Sequence, residues 1–141
     1  MQFLYNAAKT ALLNNSLDLL SDTFNVALMT DNYIPDRDAD VYFGDINADE
    51  ASGTGYTAGG KTLTGKVITQ DDANDRAAFD ATDPVWTLLT TSTNAAVIYK
   101  ATGSPATSPL LAYIEFDQLY TPNGADFTIE WDANGIFTLG E

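Results

Sequence analysis

The chain carries at residues 55–62 the sequence Gly55-Tyr56-Thr57-Ala58-Gly59-Gly60-Lys61-Thr62, followed at residues 63–69 by Leu63-Thr64-Gly65-Lys66-Val67-Ile68-Thr69. The first stretch has the G-x-x-x-x-G-K-T spacing of a phosphate-binding loop. The conformation of the second stretch therefore decides between a nucleotide-binding α/β fold and a β fold.

The flanks of this match lack the pattern that phosphate binding requires. A phosphate-binding loop follows a buried strand and opens a helix, whose N-terminal amides hold the phosphates. The residues before Gly55 are polar and acidic, and those after Thr62 are rich in Thr, Val and Ile, which favours a strand over a helix. We therefore interpret Gly55, Gly60, Lys61 and Thr62 as a false match and predict a Gly-rich loop that leads into a strand, with no bound cofactor.

Short candidate strands recur at roughly ten-residue spacing through the rest of the chain, which is typical of a β-sandwich or barrel. Phe24, Val26 and Leu28 alternate with Asn25, Ala27 and Met29 in the first of them. The others are predicted at 62–69, 76–80, 85–89, 95–101, 110–116, 126–132 and 136–139.

The last two candidate strands predict a hairpin. Phe127, Ile129 and Trp131 alternate with polar residues, so that one face of this strand is expected in a core. Asn134-Gly135 is a favoured turn pair, and an apolar strand follows it directly. Together these patterns predict a mainly β fold, an antiparallel sandwich or barrel-like domain.

The first third of the chain is less regular. Apolar residues at three- and four-residue spacing predict a short N-terminal helix over about 3–13. Residues from about 30 to 52 are acidic and include Pro35, so we expect a long loop with one helical turn. We find no linker or internal repeat, and predict a single domain over 1–141.

Composition excludes several classes of function. The 141 residues contain no Cys and no His, which removes disulfides, thiolate metal sites and the usual Ser-His and Cys-His nucleophile pairs. The formal net charge is -14, with six Lys and Arg spread along the chain, so direct nucleic-acid binding is not expected. No run reaches the ~18 apolar residues of a membrane span, and the N-terminus does not have the pattern of a signal peptide.

Carboxylates are the remaining candidates for a metal site. Asp36, Asp38 and Asp40 have the D-x-D-x-D spacing that can bind Ca²⁺, but an EF-hand loop needs Gly at its sixth position and Glu at its twelfth. Val41 and Asn47 occupy those positions, so the motif fails. A looser Ca²⁺ site at the three Asp residues stays open beside the simpler interpretation of a solvated acidic loop, and we predict no metal.

Catalytic and sugar-binding sites have weak support in the sequence. Glu115 lies within an apolar strand, where we expect it to pair with a Lys or to lie near a sheet edge rather than to act as a buried acid. Five aromatic residues are candidates for a sugar-binding platform, although aromatic residues on alternating strands are more often part of a core. They are Tyr56, Trp86, Tyr113, Tyr120 and Trp131.

A set of short stretches spans nearly the whole chain and is specific in combination. They are Phe3-Leu4-Tyr5, Val26-Ala27-Leu28, residues 52–63 with the Gly-rich sequence, Ala96-Val97-Ile98-Tyr99-Lys100, residues 107–114, Trp131 and Gly135-Ile136-Phe137. Taken together, these stretches resemble a group of small virion structural proteins of tailed bacteriophages. The resemblance implies a capsid-associated, non-enzymatic component and brings no catalytic residues with it.

The acidic composition adds a constraint to what the resemblance implies. A strongly negative protein is not expected inside a DNA-filled capsid, where like charges meet. We therefore expect a head decoration or cement protein on the capsid exterior, made in the host cytoplasm, which binds the major capsid protein or other virion proteins and forms a homo-oligomer such as a trimer. A tail, neck or baseplate component and a carbohydrate-binding β-sandwich are the alternatives, with a nucleotide-binding enzyme as a more remote one.

Overall fold

Ten strands and one α-helix form the framework of the chain in a computed structural model, which describes residues 1–140. In chain order they are β1 Gln2–Leu4, α1 Asn6–Leu13, β2 Phe24–Met29, β3 Lys61–Thr62, β4 Val67–Asp71, β5 Arg76–Asp80, β6 Val85–Leu89, β7 Thr93–Lys100, β8 Leu110–Tyr120, β9 Ala125–Thr128 and β10 Phe137–Gly140. Short 3-10 turns lie at Phe43–Asp45, Asn47–Asp49 and Pro105–Thr107.

The largest sheet has five antiparallel strands in the order β1-β8-β7-β2-β3. Two of its three inner strands, β2 and β7, are buried along almost their whole length, including consecutive residues that point to opposite faces. Val26 pairs with Ile98, which in turn pairs with Ala112 of β8. Near-continuous apolar runs of this kind are what a strand needs when both faces of its sheet are covered.

Loops, the helix and two smaller sheets cover the large sheet. The segment 30–52 contributes the buried residues Tyr33, Phe43 and Ile46, and the Phe43 ring stacks on Tyr99 of β7 with centroids 4.1 Å apart. The smaller sheets have the orders β10-β5-β4 and β6-β9, and they add Phe79, Trp86 and Leu89 to the same core. The prediction of a mainly β, antiparallel, sandwich-like domain with a short helix near the N-terminus is confirmed.

The predicted hairpin between 126–132 and 136–139 is wrong. β9 ends at Thr128 and pairs with β6, whereas β10 pairs with β5. Asp132–Gly135 does form a turn, in which the Gly135 N–H donates to the Asp132 carbonyl at 2.8 Å. A type I′ hairpin turn needs positive φ at both central residues, and only Gly135 of the Asn134-Gly135 pair has it, at 102°. The chain therefore leaves this turn toward β5.

Two other predicted boundaries need correction. The strand predicted at 62–69 is two strands in different sheets, because the chain turns at Gly65, where φ is +63° and an added Cβ would lie 2.3 Å from the Thr82 hydroxyl. The helix predicted from residue 3 begins at Asn6, because Phe3 and its neighbours pair with β8 instead. In 30–52 the structure has two 3-10 turns where one helical turn was expected.

The Gly-rich loop yields a test of this packing. Gly60 has φ +81°, and a Cβ there would lie 1.8 Å from the Val26 carbonyl oxygen, whereas Gly103 has φ +93° with nothing within 4 Å. Both Gly→Ala substitutions carry the left-handed backbone penalty of roughly 1–2 kcal/mol. Gly60→Ala must in addition displace β2, so we expect it to lower the free energy of unfolding by about 2 kcal/mol more than Gly103→Ala. Urea unfolding of the two variants measures the difference, and equal losses would show that the loop does not press on β2.

Candidate functional site

The Gly-rich loop at residues 53–60 leads into β3, which begins at Lys61 and pairs antiparallel with β2. The predicted loop-to-strand transition is therefore confirmed. Lys61 and Thr62 are exposed on this strand, and no helix N-terminus lies behind the glycines in residues 53–66. The local structure lacks the helix that a phosphate-binding loop requires, and the absence of nucleotide binding stays a prediction.

Hydrogen bonds attach this loop to the large sheet. The Tyr56 hydroxyl and the Gly59 N–H both donate to the Oε2 atom of Glu50, at 2.7 and 2.8 Å. The Tyr99 hydroxyl donates to the Gly59 carbonyl at 2.6 Å, and the Leu28 N–H donates to the Tyr56 hydroxyl at 3.0 Å. Burial raises the pKa of the Glu50 carboxyl, and the two donated hydrogen bonds oppose that shift only in part. These hydrogen bonds hold the Gly-rich loop against β2 and β7.

The carboxylates of the acidic loop at residues 30–52 accept hydrogen bonds from the backbone of the same loop. Asp36 Oδ1 accepts the N–H groups of Asp38 and Ala39, and Asp40 Oδ2 accepts the N–H of Asp36 and the hydroxyl of Tyr33. These contacts satisfy oxygen atoms that a Ca²⁺ ion would otherwise need. Among residues 1–140 no group of three or more carboxylates has a geometry suited to a metal ion, so the structure does not bring Asp36, Asp38 and Asp40 together as ligands.

An apolar groove lies between α1 and the β10-β5-β4 sheet, with a volume of about 360 Å³. Its walls include Leu12 and Leu13 of the helix together with Ile68, Phe79, Phe137 and Leu139 of the sheet. Leu13 is 88% exposed, Leu139 73% and Ile68 49%. Exposed apolar side chains gathered around one groove are typical of a protein contact surface. The sequence predicted an apolar stripe on this helix, but not the sheet residues that face it.

A second and larger concavity, the acidic cleft, has a volume of about 720 Å³ and lies between the end of β8 and the segment 126–136. Five exposed carboxylate side chains line it. They belong to Glu115, Asp117, Asp126, Glu130 and Asp132. Four half-buried aromatic residues also line it, namely Phe116, Tyr120, Phe127 and Trp131.

The aromatic residues of the acidic cleft are held in place. The rings of Phe116, Tyr120 and Phe127 contact one another with centroids 5.7 to 6.0 Å apart. Trp131 donates its backbone N–H to Asp83 at 2.9 Å and its indole N–H to the Thr82 carbonyl at 3.2 Å. The cleft therefore presents fixed ring surfaces beside exposed carboxylates.

The five aromatic residues considered for a sugar platform do not come together. Tyr120 and Trp131 line the acidic cleft, whereas Trp86 and Tyr113 are core residues with 1% and 2% exposure, and Tyr56 holds the Gly-rich loop. Phe116 and Phe127, which complete the cleft, were missed because their alternation in the sequence is that of ordinary core residues.

Glu115 lies near a sheet edge, as predicted, but its partner is not a Lys. Its Oε2 atom accepts a hydrogen bond from the Met1 amino group at 3.0 Å. The reason is that β1 runs beside β8 and places Met1 opposite this carboxylate. Glu115 is exposed and therefore not a buried acid.

Comparison with known proteins found no matching family model, no matching curated protein and no matching solved structure. Within residues 1–140, no helix is both long and apolar enough to cross a membrane. The apolar groove and the acidic cleft are thus the surfaces from which a function can be inferred.

The raised pKa of Glu50 predicts a pH dependence of stability. Between the ordinary value of 4.5 and the higher folded value, the folded state holds a proton that the unfolded state has lost. The contribution of Glu50 is therefore most favourable below pH 4.5 and decreases as the pH rises through the folded pKa. Relative to the wild type, Glu50→Gln should gain stability as the pH rises from 4.5 to 7, measured by urea unfolding at each pH.

Asp49→Asn is the matched control. It removes the charge of the neighbouring residue, and the Asp49 side chain makes no hydrogen bond within the described residues. Its stability difference from the wild type should lack this rise. A Glu50→Gln difference that stays flat or falls over the same pH range would contradict the assignment of a destabilising buried charge.

Proposed function

We propose that this chain is a non-enzymatic structural protein of a tailed-bacteriophage virion, a decoration or cement protein on the outside of the head. The resemblance of its sequence to small virion proteins supports this proposal, and so does its net charge of -14, which disfavours a place beside packaged DNA. Its partner is a subunit of the capsid shell.

The observation that carries the proposal is the apolar groove. Leu13 and Leu139 are among the most exposed large apolar side chains of the described chain, and they flank the same concavity. Transferring such side chains from water to an interface contributes about 1.5–3 kcal/mol each when burial is complete. The high net charge favours solubility of the free protein although this apolar surface is exposed.

A decoration protein acts through linkage. If the surface that fills the groove exists only where neighbouring subunits meet in the assembled shell, the protein binds the shell and not the free subunits. Binding then stabilises the assembled lattice. A protein that binds at a symmetry axis of the head is expected to form a closed oligomer with matching symmetry, such as a trimer. The exposed edge strand β4, which pairs with β5 on one side, is a surface available for that contact.

Copy number distinguishes the head from the tail. A protein of the head surface is present on the order of hundreds of copies per particle, whereas a tail, neck or baseplate ring holds about a dozen or fewer. Quantitative mass spectrometry of purified particles, with a cryo-EM map to locate the density, gives the number and the place. A count near a dozen would contradict a location on the head and indicate the tail, neck or baseplate.

The groove itself is tested by substitution. Leu139→Glu places a charge in the groove, and Ile34→Glu places the same charge at an equally exposed apolar residue outside it, with 85% exposure for Ile34. We expect Leu139→Glu to weaken binding to shells that lack the protein by roughly tenfold or more, and Ile34→Glu to leave it within about twofold. Co-sedimentation with the shells measures both. Equal binding by the wild type and Leu139→Glu would show that the groove is not part of the interface with the shell.

A further inference from the structure

The acidic cleft has a charge imbalance that the fold does not neutralise. None of the residues lining it is a Lys or Arg, and its five carboxylates have as their cationic partner within residues 1–140 the Met1 amino group at Glu115. Arg76 lines a neighbouring depression together with Asp132, but its ion pair is with Asp71, and Lys100 pairs with Asp22. Like charges held around one concavity repel each other and focus a negative potential in it.

The aromatic part of the cleft touches these charges at one point, where the Tyr120 hydroxyl donates to Asp117 Oδ1 at 2.5 Å. Phe116, Tyr120 and Phe127 form one ring cluster, and Trp131 is fixed at both its backbone and its indole N–H. Each of these side chains is half-buried, so it keeps ring surface available to a ligand. Aromatic faces attract cations, and Arg stacks on them more often than Lys does.

We propose that the acidic cleft binds an arginine-containing basic peptide segment of a partner protein. The carboxylates pair with the guanidinium groups, and the aromatic rings stack on their planes. The cleft volume of about 720 Å³ lies within the roughly 300–1,000 Å³ range of ligand pockets, which suits a short segment better than a single ion. This inference does not depend on the virion role, because the cleft residues named here lie outside the apolar groove.

Other ligands fit the cleft less well. A divalent metal has no suitable group of three ligating side chains among residues 1–140. A nucleic acid meets repulsion from the carboxylates. A neutral sugar can stack on Trp131 but leaves the mutual repulsion of Asp126, Glu130 and their neighbours unrelieved, whereas a cationic segment removes it.

The test compares two synthetic peptides of equal length and shape, acetyl-Gly-Arg-Ala-Arg-Gly-amide and the same peptide with citrulline in place of both arginines. Citrulline keeps the planar group and loses the charge. NMR of the full chain follows the indole N–H signals of the two Trp residues, assigned with Trp131→Phe. We expect the arginine peptide to shift the Trp131 signal and not the signal of buried Trp86, with roughly tenfold higher affinity than the citrulline peptide.

Charge variants locate the site. Asp117→Asn with Glu130→Gln removes two cleft charges, while Asp31→Asn with Asp75→Asn removes two exposed charges outside the cleft. The cleft pair should weaken binding of the arginine peptide by roughly tenfold, and the control pair should change it by about twofold or less. If the cleft pair does not fold, as judged by its thermal unfolding, the two peptides on the wild type still decide the matter.

Three results would each overturn the proposal. One is equal affinity of the arginine and citrulline peptides, and another is equal weakening by the two charge-variant pairs. The third is a Trp131 shift on adding maltopentaose with none on adding the arginine peptide, which would assign the cleft to carbohydrate. Leu139→Glu is expected to bind the peptide normally, so failure of this inference and failure of the virion proposal give different results.

Discussion

The adjacent inner strands β2 and β7 are buried on both faces, and this double burial determines what the rest of the chain must do. Val26, Ala27, Leu28 and Met29 are all fully buried, although neighbouring residues of a strand point to opposite faces. A sheet of this kind is stable only when two layers cover it. The helix, the segment 30–52, the Gly-rich loop and the smaller sheets provide those layers, and each is held by a specific polar or aromatic contact.

Most of the cationic side chains take part in contacts within the fold. Arg37 lies over the Phe3 ring at 4.5 Å, Lys66 lies over Phe24 and donates to the Asp22 carbonyl, and Lys100 and Arg76 form ion pairs. The net negative charge therefore remains on the surface and in the acidic cleft. A surface of this kind favours solubility and attracts molecules of opposite charge, so the same composition provides solubility and selectivity.

Sequence patterns predicted the elements better than their partners. The strands at 76–80 and 85–89 and the loop before Lys61 were predicted correctly, because alternation and glycine content act locally. The pairing of β9 with β6 and of β10 with β5 depends on the negative φ of Asn134 and on the hydrogen bond from the Ile136 N–H to the Phe79 carbonyl of β5, which no local pattern encodes. Likewise, no local pattern joins Asp117 of β8 to Asp126 of β9, and only the tertiary fold brings both to one cleft.

The apolar groove and the acidic cleft are connected by one segment of chain. Asp132 lines the cleft and Phe137 lines the groove, and a shallower depression of about 440 Å³ between them contains both residues. Gln2 of β1 donates a hydrogen bond to the Ile136 carbonyl and so fixes this segment against the large sheet. A partner that lies along it meets apolar surface at one end and carboxylates at the other. For a partner of the kind proposed above, burial in the groove would supply affinity, whereas charge pairing in the cleft would select the partner and speed its approach. Because the segment is held at Gln2 and by the Ile136 N–H at Phe79, the two surfaces keep a fixed spacing, and a single partner that used both would have to match that spacing.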